Sequence, residues 1–205
     1  AVVGALAAGG DSGWGGFAEA VAVDEDKLVA LPAGVPMAVG ACTPTTYGTT
    51  YHALHDRAQI RPGEVLLVLG AAGGVGLAAV ELGKALGARV IAAASSAEKL
   101  AVCQAAGADD LIDYSSQDLR ARVRELTGGA GADVIYDPVG GRYAEPALRA
   151  IAWGGRYLVV GFAAGAIPSI PLNLVLLKGC QILGFQFVDF ATHRSEEMAA
   201  NEAEL

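Results

Sequence analysis

The sequence predicts an α/β protein whose main part is a doubly wound parallel sheet. Residues 65–69 form a continuous apolar run, which suits a strand buried on both faces of a parallel sheet. A glycine-rich loop follows at 70–76, and from there to residue 187 apolar runs alternate with helical patterns. This alternation is typical of a parallel sheet covered by helices.

The beginning of the chain follows a different pattern. A turn cluster occupies 9–13, residues 17–23 alternate like a strand, and 28–32 form another short extended piece. These features predict the tail of a β-rich domain. A helix is expected at 36–56, interrupted near Pro44, because proline lacks the N–H group that a helix interior needs.

In the main part, glycines and capping residues mark the ends of the elements. Gly87 and Gly107 are placed to end helices, and Ser96 to cap the start of one. Strands are expected at 65–69, 89–94, 111–113, 133–136, 157–160 and 180–187. Helices are expected from the glycine loop to 86 and at 96–104, 116–126, 144–150 and 195–205.

Composition excludes several classes of protein. With 53% hydrophobic and 18% charged residues, the chain is expected to fold rather than stay disordered. A net charge of -8 argues against a nucleic-acid groove, which needs a basic face. The longest uncharged run, 65–80, is shorter than the ~20 residues of a membrane helix. Three scattered cysteines without a CxxC pair fit a reducing cytoplasm. The chain lacks an initiator Met and opens in mid-pattern, so we expect a fragment.

The glycine loop is the strongest functional signal. It reads GAAGGVG at 70–76, follows a strand and opens a helix, so the N–H groups at the helix start can hold a pyrophosphate. Gly73 and Gly74 would let the chain approach the phosphates, and Gly76 would let the helix pack on the strand. A tight turn without a ligand is the alternative. The placement inside a βαβ unit favours a dinucleotide site and hence a Rossmann domain.

The second strand indicates which dinucleotide binds. An NAD site usually has an acidic residue at the end of this strand, but residues 94–96 are Ala-Ser-Ser. Ser95, Ser96 and Lys99 offer hydrogen-bond donors to a 2′-phosphate, so the sequence predicts NADPH. In the alternative, Ser96 is only a helix cap and Lys99 a solvated lysine.

Eight motifs give the chain a family resemblance. They are TTYHAL at 49–54, PGE at 62–64, GAAGGVG at 70–76, KALGA at 84–88, GAD at 107–109, IDY at 112–114, DPVGG at 137–141 and GGR at 154–156. In these motifs the chain resembles the medium-chain dehydrogenase/reductase superfamily, and within it the zinc-independent quinone oxidoreductases. The resemblance implies that residues 1–45 end a β-rich, GroES-like catalytic domain. It implies a Rossmann domain at 46–190 and the start of a return segment at 191–205.

The resemblance also implies where a cofactor contacts the chain. Residues matching Ser95, Ser96, Lys99 and Tyr114 surround the adenosine phosphate in the family. Those matching Thr49 and Gly73, Gly74 and Val75 lie near the nicotinamide and pyrophosphate. The stretches that include Gly161, Phe162 and Phe185 run past the nicotinamide half.

The implied reaction is hydride transfer from NADPH to a quinone or an α,β-unsaturated carbonyl. An enoyl-thioester reductase of the same superfamily and a non-catalytic NADPH-binding redox sensor are the alternatives. Tyr51 is a candidate proton donor, although packing is an equal alternative for its ring. The fragment alone is expected to turn over little substrate, because the family's catalytic cleft lies between two domains.

No metal and a homodimer are expected. His52 and His55 are too few for a zinc site, and Cys42 is expected to be a small buried residue. A zinc site is the alternative, because the zinc-binding branch of the family has a cysteine close to the position that Cys42 occupies. The apolar segment 180–187 should lie at the sheet edge, where an uncovered strand is a hazard, and in the family such edges pair across a two-fold axis. We expect no nucleic acid or membrane among the partners.

Overall fold

The structure is a computed structural model that describes residues 2–3, 18–25 and 28–205. The chain divides into two compact units. Residues Thr50–Gln186 form the sheet unit, and Ala1–Thr49 together with Phe187–Leu205 form the flanking unit. The predicted turn at 9–13 lies outside the described residues.

The described part of the flanking unit contains two short strands. Strand β1 (Val2–Val3) pairs antiparallel with β2 (Val29–Ala30), which lies in the extended piece expected at 28–32. The strand predicted at 17–23 is wrong for the described residues 18–23, which form no strand. Residues 18–22 are exposed, so the alternating apolar and polar side chains do not pack on a core and do not stabilise a strand.

The helix predicted at 36–56 is present, and its hydrogen-bonding pattern changes along the way. Helix α1 (Met37–Cys42) is followed by a π-helical turn Thr43–Tyr47, by α2 (Gly48–Tyr51) and by a second π-helical turn His52–Arg57. The first change falls at Thr43, directly before Pro44, which has no N–H group to donate. Cys42 is exposed rather than buried, because α1 has only Gly40 on its buried side.

Two short helices complete the flanking unit, α8 (Phe187–His193) and α9 (Ser195–Glu204). The ring of Phe187 packs so closely on Gly48 that a Cβ there would lie 2.8 Å from its Cζ atom. The strand predicted at 180–187 is shorter than expected: it covers Gln181–Gly184, and α8 already begins at Phe187.

A six-stranded parallel sheet forms the sheet unit, in the order β5-β4-β3-β6-β7-β8. The strands are β3 (Val65–Leu69), β4 (Arg89–Ala94), β5 (Asp110–Asp113), β6 (Ala132–Asp137), β7 (Ile151–Val159) and β8 (Gln181–Gly184). The predicted fold class is confirmed, and β8 lies at the edge as expected. The chain runs outward from β3 through β5, then crosses to β6 on the other side, so the strand order reverses between β3 and β6.

Helices cover the sheet, and each of its two faces carries an apolar core. They are α3 (Gly74–Ala85), α4 (Ala97–Ala105), α5 (Leu119–Leu126), α6 (Ala144–Arg149) and α7 (Leu172–Lys178). Helix α5 starts after residue 116 because Asp118 caps it, its Oδ1 accepting a hydrogen bond from Ala121 N–H at 2.8 Å. Helix α7 has no counterpart in the sequence-based expectations.

Strand β7 is longer than the expected 157–160. It begins at Ile151, and its pairing with β6 shifts register between Ala132 and Val134. The segment includes Trp153-Gly154-Gly155, and glycines inside a run argue against a strand in sequence analysis. Pairing with β6 overrides that local signal.

Candidate functional site

A cavity of about 530 Å³ opens at the carboxyl ends of the strands, where the strand order reverses. Ligands of open α/β sheets bind in the crevice at this point. Its lining consists of Gly70, Ala72, Gly73, Val75, Ala94, Ser95, Lys99, Tyr114, Pro138, Val139, Tyr143, Ala163 and Ala164. Five of the predicted cofactor-binding residues are thereby brought together: Gly73, Val75, Ser95, Lys99 and Tyr114.

The glycine loop forms the floor of this cavity. Gly70 has φ 57°, a left-handed conformation that favours glycine, and Gly73 N–H donates to its carbonyl at 2.9 Å. A Cβ on Gly76 would lie 2.4 Å from that same carbonyl oxygen, so only glycine lets α3 pack this closely. Gly73 occupies the N-cap of α3 and has no side chain to cap the first-turn N–H groups. The helix start therefore suits a bound anion.

The side chains after β4 supply a cation and a hydroxyl. Lys99 Nζ donates a hydrogen bond to Ser95 Oγ at 3.0 Å, and both residues line the cavity. Ser96 is the N-cap of α4, its Oγ accepting from Lys99 N–H at 3.4 Å. The structure thus agrees with the interpretation of Ser96 as a helix cap, and Ser96 does not line the cavity.

Two tyrosines stand beyond Ser95. Tyr114 follows β5 and lies against Tyr143, with ring centroids 4.3 Å apart. Partial burial raises the pKa of Tyr114, and the nearby Tyr143 adds to that rise, while a hydrogen bond with Ser95 opposes it. The hydroxyl of Tyr114 therefore stays protonated at neutral pH and keeps a donor for a ligand.

Asp137 shapes the turn that carries Pro138 and Val139 into the cavity. Its Oδ1 accepts hydrogen bonds from the N–H groups of Val139 and Gly140, each at 2.8 Å. The segment 161–166 then docks on this turn, with Ala163 N–H donating to Pro138 O at 3.0 Å. A buried aspartate thus sets one wall of the cavity.

The other predicted residues are not among those that line this cavity. Gly74 is the first residue of α3, and Gly161 N–H donates to Asp137 O at 3.3 Å. Phe162 lines a second, smaller cavity of about 150 Å³ together with Tyr157 and Ile182. Phe185 meets the His52 ring edge-on at 5.6 Å. Thr49 belongs to the flanking unit.

Comparison with known proteins places this geometry in a family. Residues 74–203 match the family model described as zinc-binding dehydrogenase. The chain belongs to the zinc-binding dehydrogenase family. The resemblance to quinone oxidoreductases of the medium-chain dehydrogenase/reductase superfamily is likewise confirmed.

The relatives of this zinc-binding dehydrogenase chain include quinone oxidoreductases and an enoyl reductase. Quinone oxidoreductase-like protein 2 of Bos taurus is 42% identical over 173 residues, which cover 84% of the chain and 50% of that protein. The solved structure of Escherichia coli quinone oxidoreductase complexed with NADPH is 32% identical with a TM-score of 0.78, covering 87% of the chain and 55% of that structure. The CurK enoyl reductase is 27% identical with a TM-score of 0.76, covering 87% and 53%. The chain spans about half the length of the curated relatives it matches.

The histidines of this family member bind a carboxylate. His52 Nδ1 lies 2.7 Å from Asp56 Oδ2, and His55 Nδ1 lies 2.8 Å from Asp56 Oδ1. Tyr51 is buried, with its ring stacked on His55 at 4.8 Å. Within the described ranges, no three His, Cys, Asp or Glu side chains are grouped to hold a metal ion. A search of the same residues finds no helix that could span a membrane.

Sequence reasoning missed part of the cavity wall. Val139 and Pro138 belong to the DPVGG motif, which marked the family but received no role in the site. Tyr143 and Ala164 carried no signal of their own, because only the docking of two loops brings them to the cavity. Ala163 belongs to the stretch 161–163 that the resemblance placed beside the cofactor.

Proposed function

We propose that this chain binds NADPH in the cavity and serves an oxidoreductase that transfers hydride to a quinone or an α,β-unsaturated carbonyl. The observation that carries the proposal is the Lys99–Ser95 hydrogen bond at the cavity wall, beside the glycine loop. Strand β4 ends at Ala94, without the carboxylate that would repel a 2′-phosphate. The similarity to the NADPH complex of Escherichia coli quinone oxidoreductase supports it.

The described residues fit this cofactor. A cavity of about 530 Å³ is within the range of cofactor sites, and the tight contact of Gly76 with the Gly70 carbonyl brings the helix start to its floor. Gly73, Gly74 and Val75 would hold the pyrophosphate. Ser95, Lys99 and Tyr114 would hold the adenosine 2′-phosphate, and Ser96 would support them as the cap of α4.

When bound, NADPH supplies the hydride from its nicotinamide ring. In our proposal Gly161, Phe162 and Phe185 of the sheet unit serve the nicotinamide half. Tyr51 packs rather than donates a proton, because its ring is buried against His55. The chain's own task is to orient the cofactor and to neutralise the 2′-phosphate with Lys99.

The domain proposal follows the family. Residues 1–45 end a GroES-like catalytic domain, 46–190 form the Rossmann domain and 191–205 begin the return segment. The division of the chain into compact units next to residues 49–50 and 186–187 supports these boundaries.

Titration of both cofactors tests the binding proposal. The protein should bind NADPH more tightly than NADH. Lys99→Ala should weaken NADPH binding about ten- to a hundredfold, because a charged hydrogen bond contributes about 1.5–3 kcal/mol, and should leave NADH binding unchanged. Lys84→Ala is the matched control, since Lys84 pairs with Asp109 and does not line the cavity. Equal losses for both cofactors in Lys99→Ala would show that the lysine does not bind the phosphate.

An enoyl-thioester reductase is the second candidate function. The similarity to the CurK enoyl reductase favours it, at nearly the same TM-score as the quinone oxidoreductase. NADPH oxidation should be followed with a quinone, an enone and an enoyl thioester in parallel. NADPH binding without turnover of any of them would favour a redox sensor.

We also propose that the protein holds no zinc. Zinc needs about four ligands, and among the described residues no three His, Cys, Asp or Glu side chains, His52 and His55 included, are grouped to hold a metal ion. Metal analysis of the purified protein should find less than one zinc per subunit. One tightly held zinc per subunit would overturn this proposal.

A homodimer is the oligomeric state that we propose. Strand β8 lies at the edge of the sheet, and Ile182 on it is an exposed large apolar side chain. Unpaired edge strands invite pairing with another chain. Light scattering at micromolar concentration should give the mass of two chains, and a monomer would refute the proposal.

A further inference from the structure

Two aromatic rings form a continuous wall at one end of the cavity. Tyr114 follows β5, and Tyr143 ends the short 3-10 turn Gly141–Tyr143 that follows β6. Their centroids are 4.3 Å apart, their planes are inclined by 39°, and both residues line the cavity. The wall therefore joins elements from the two sides of the point where the strand order reverses.

Arg142 fixes the second ring. Its guanidinium carbon lies 5.0 Å from the centroid of the Tyr143 ring, within the range of a cation–π contact. One of its N–H groups donates a hydrogen bond to Tyr143 Oη at 2.8 Å. Arg142 itself is exposed and does not line the cavity. Its contact with this site passes through Tyr143.

The position of the wall decides which part of a dinucleotide would meet it. Ser95 hydrogen-bonds Tyr114 on one side and accepts from Lys99 on the other. Lys99 and Ser95, which suit a 2′-phosphate, are thus next to Tyr114, and Tyr143 packs against the ring of Tyr114. The part of the cofactor within reach of the phosphate is the adenosine, and the neighbouring Val139 adds apolar surface for a flat base.

We infer that Tyr143 is a binding residue for the adenine base, forming with Tyr114 an aromatic wall against the ring, and that Arg142 is a positioning residue that holds Tyr143 in place. This inference rests on the proposed binding of NADPH. It adds base recognition to the phosphate recognition by Lys99. Stacked or tilted aromatic pairs contribute beyond their buried area, so loss of one ring should be measurable.

The test uses adenosine 2′,5′-bisphosphate and inorganic pyrophosphate as competitors of NADPH. Tyr143→Leu should weaken the bisphosphate about three- to tenfold and leave pyrophosphate, which has no base, unchanged. Tyr143→Phe keeps the ring and should lose less than Tyr143→Leu. If Tyr143→Leu binds the bisphosphate as tightly as the wild-type protein does, the inference is overturned.

A double-mutant cycle separates the two roles. Arg142→Ala should weaken the bisphosphate about two- to threefold in the wild-type background and have no effect in the Tyr143→Leu background. An equal loss in both backgrounds would show that Arg142 binds the phosphate directly and would overturn its positioning role. If thermal unfolding shows that Tyr143→Leu does not fold, Arg142→Ala in the wild-type background still tests the positioning role, because Arg142 is exposed and its loss should leave the fold intact. Pyrophosphate binding should then be unchanged, and an equal loss for pyrophosphate and the bisphosphate would overturn the positioning role.

The failure of the inference differs from the failure of the proposed function. If the wild-type protein binds neither NADPH nor the bisphosphate, the proposed function fails and the inference falls with it. If the wild type binds both and Tyr143→Leu does the same, only the inference fails.

Discussion

The hydroxyl of Tyr157 donates a hydrogen bond to the carboxylate of Asp137 in the interior of the sheet unit. Asp137 is 3% exposed and Tyr157 is 4% exposed. Burial raises the pKa of Tyr157, and the neighbouring carboxylate raises it further, so the hydroxyl stays a donor. The other carboxylate oxygen accepts from the N–H groups of Val139 and Gly140, so this pair holds the turn at the cavity wall.

Tyr157→Phe should lower the free energy of unfolding by about 1–3 kcal/mol, because it leaves one oxygen of a buried carboxylate without its donor. Urea denaturation measures the change. Tyr136→Phe is the matched control, because the Tyr136 hydroxyl forms a hydrogen bond with the neutral Thr50 side chain at 2.9 Å. The free energy of unfolding should therefore fall by only about 1 kcal/mol in this variant. Equal losses in the two variants would show that the Asp137 charge plays no special part.

Gly76→Ala should destabilise the protein by about 1–3 kcal/mol, because the new methyl group would collide with the backbone of the glycine loop at Gly70 and Ala71, between β3 and α3. Its Cβ would lie 2.4 Å from Gly70 O and 2.8 Å from Ala71 Cα. Gly184→Ala is the control, since nothing lies within 4 Å of a Cβ there. Thermal unfolding compares them, and a Gly76→Ala variant as stable as Gly184→Ala would contradict the packing argument.

Ser95→Asp should reverse the cofactor preference. The substitution puts a carboxylate beside Lys99 at the end of β4, where it can accept from a ribose diol and repels a 2′-phosphate. We expect NADPH binding to weaken about tenfold or more and NADH binding to improve. Ser195→Asp adds the same charge in α9 and controls for net charge. Unchanged affinity for both cofactors would place Ser95 away from the ribose.

Asp109→Asn should lower stability in a pH-dependent way. Partial burial raises the pKa of Asp109, but hydrogen bonds from Lys84 and from Val90 N–H, with the charges of Lys84 and Arg89, outweigh burial and hold the pKa below its usual value. A lowered folded-state pKa stabilises the protein above the ordinary aspartate pKa of about 3.9, and this stabilisation is lost as the pH falls through the folded value.

Urea denaturation of wild type and Asp109→Asn at pH 7 and at successively lower pH checks this. The difference should be at most about 1 kcal/mol at pH 7, because solvent screens this partly exposed pair, and should shrink in acid. Glu197→Gln, which removes a carboxylate from the exposed pair with Arg194, controls for net charge. A difference that stays constant with pH would mean that the Asp109 charge does not stabilise the fold.

Local chemistry in the sequence was enough to predict much of this protein. The apolar runs predicted β3 and β4 with their observed bounds, and Gly87 ends its helix region with φ 81°. The glycine loop, the absent carboxylate after β4 and the motifs pointed to the cavity and to the family. These signals are local because strand periodicity, turn geometry and helix capping depend on near neighbours in the chain.

Only the tertiary structure decided the rest. The alternation at 17–23 predicted a strand, but residues 18–23 form none, since a strand needs a partner and a face to bury. Tyr143 reaches Tyr114, and Tyr157 reaches Asp137, across crossover connections that place distant residues side by side. Strand pairing and loop docking fix such contacts, and no local pattern encodes them. The sequence thus determined the sheet, the glycine loop and the phosphate-binding candidates. The strand order and the pairing register determined which other residues line the cavity beside these candidates.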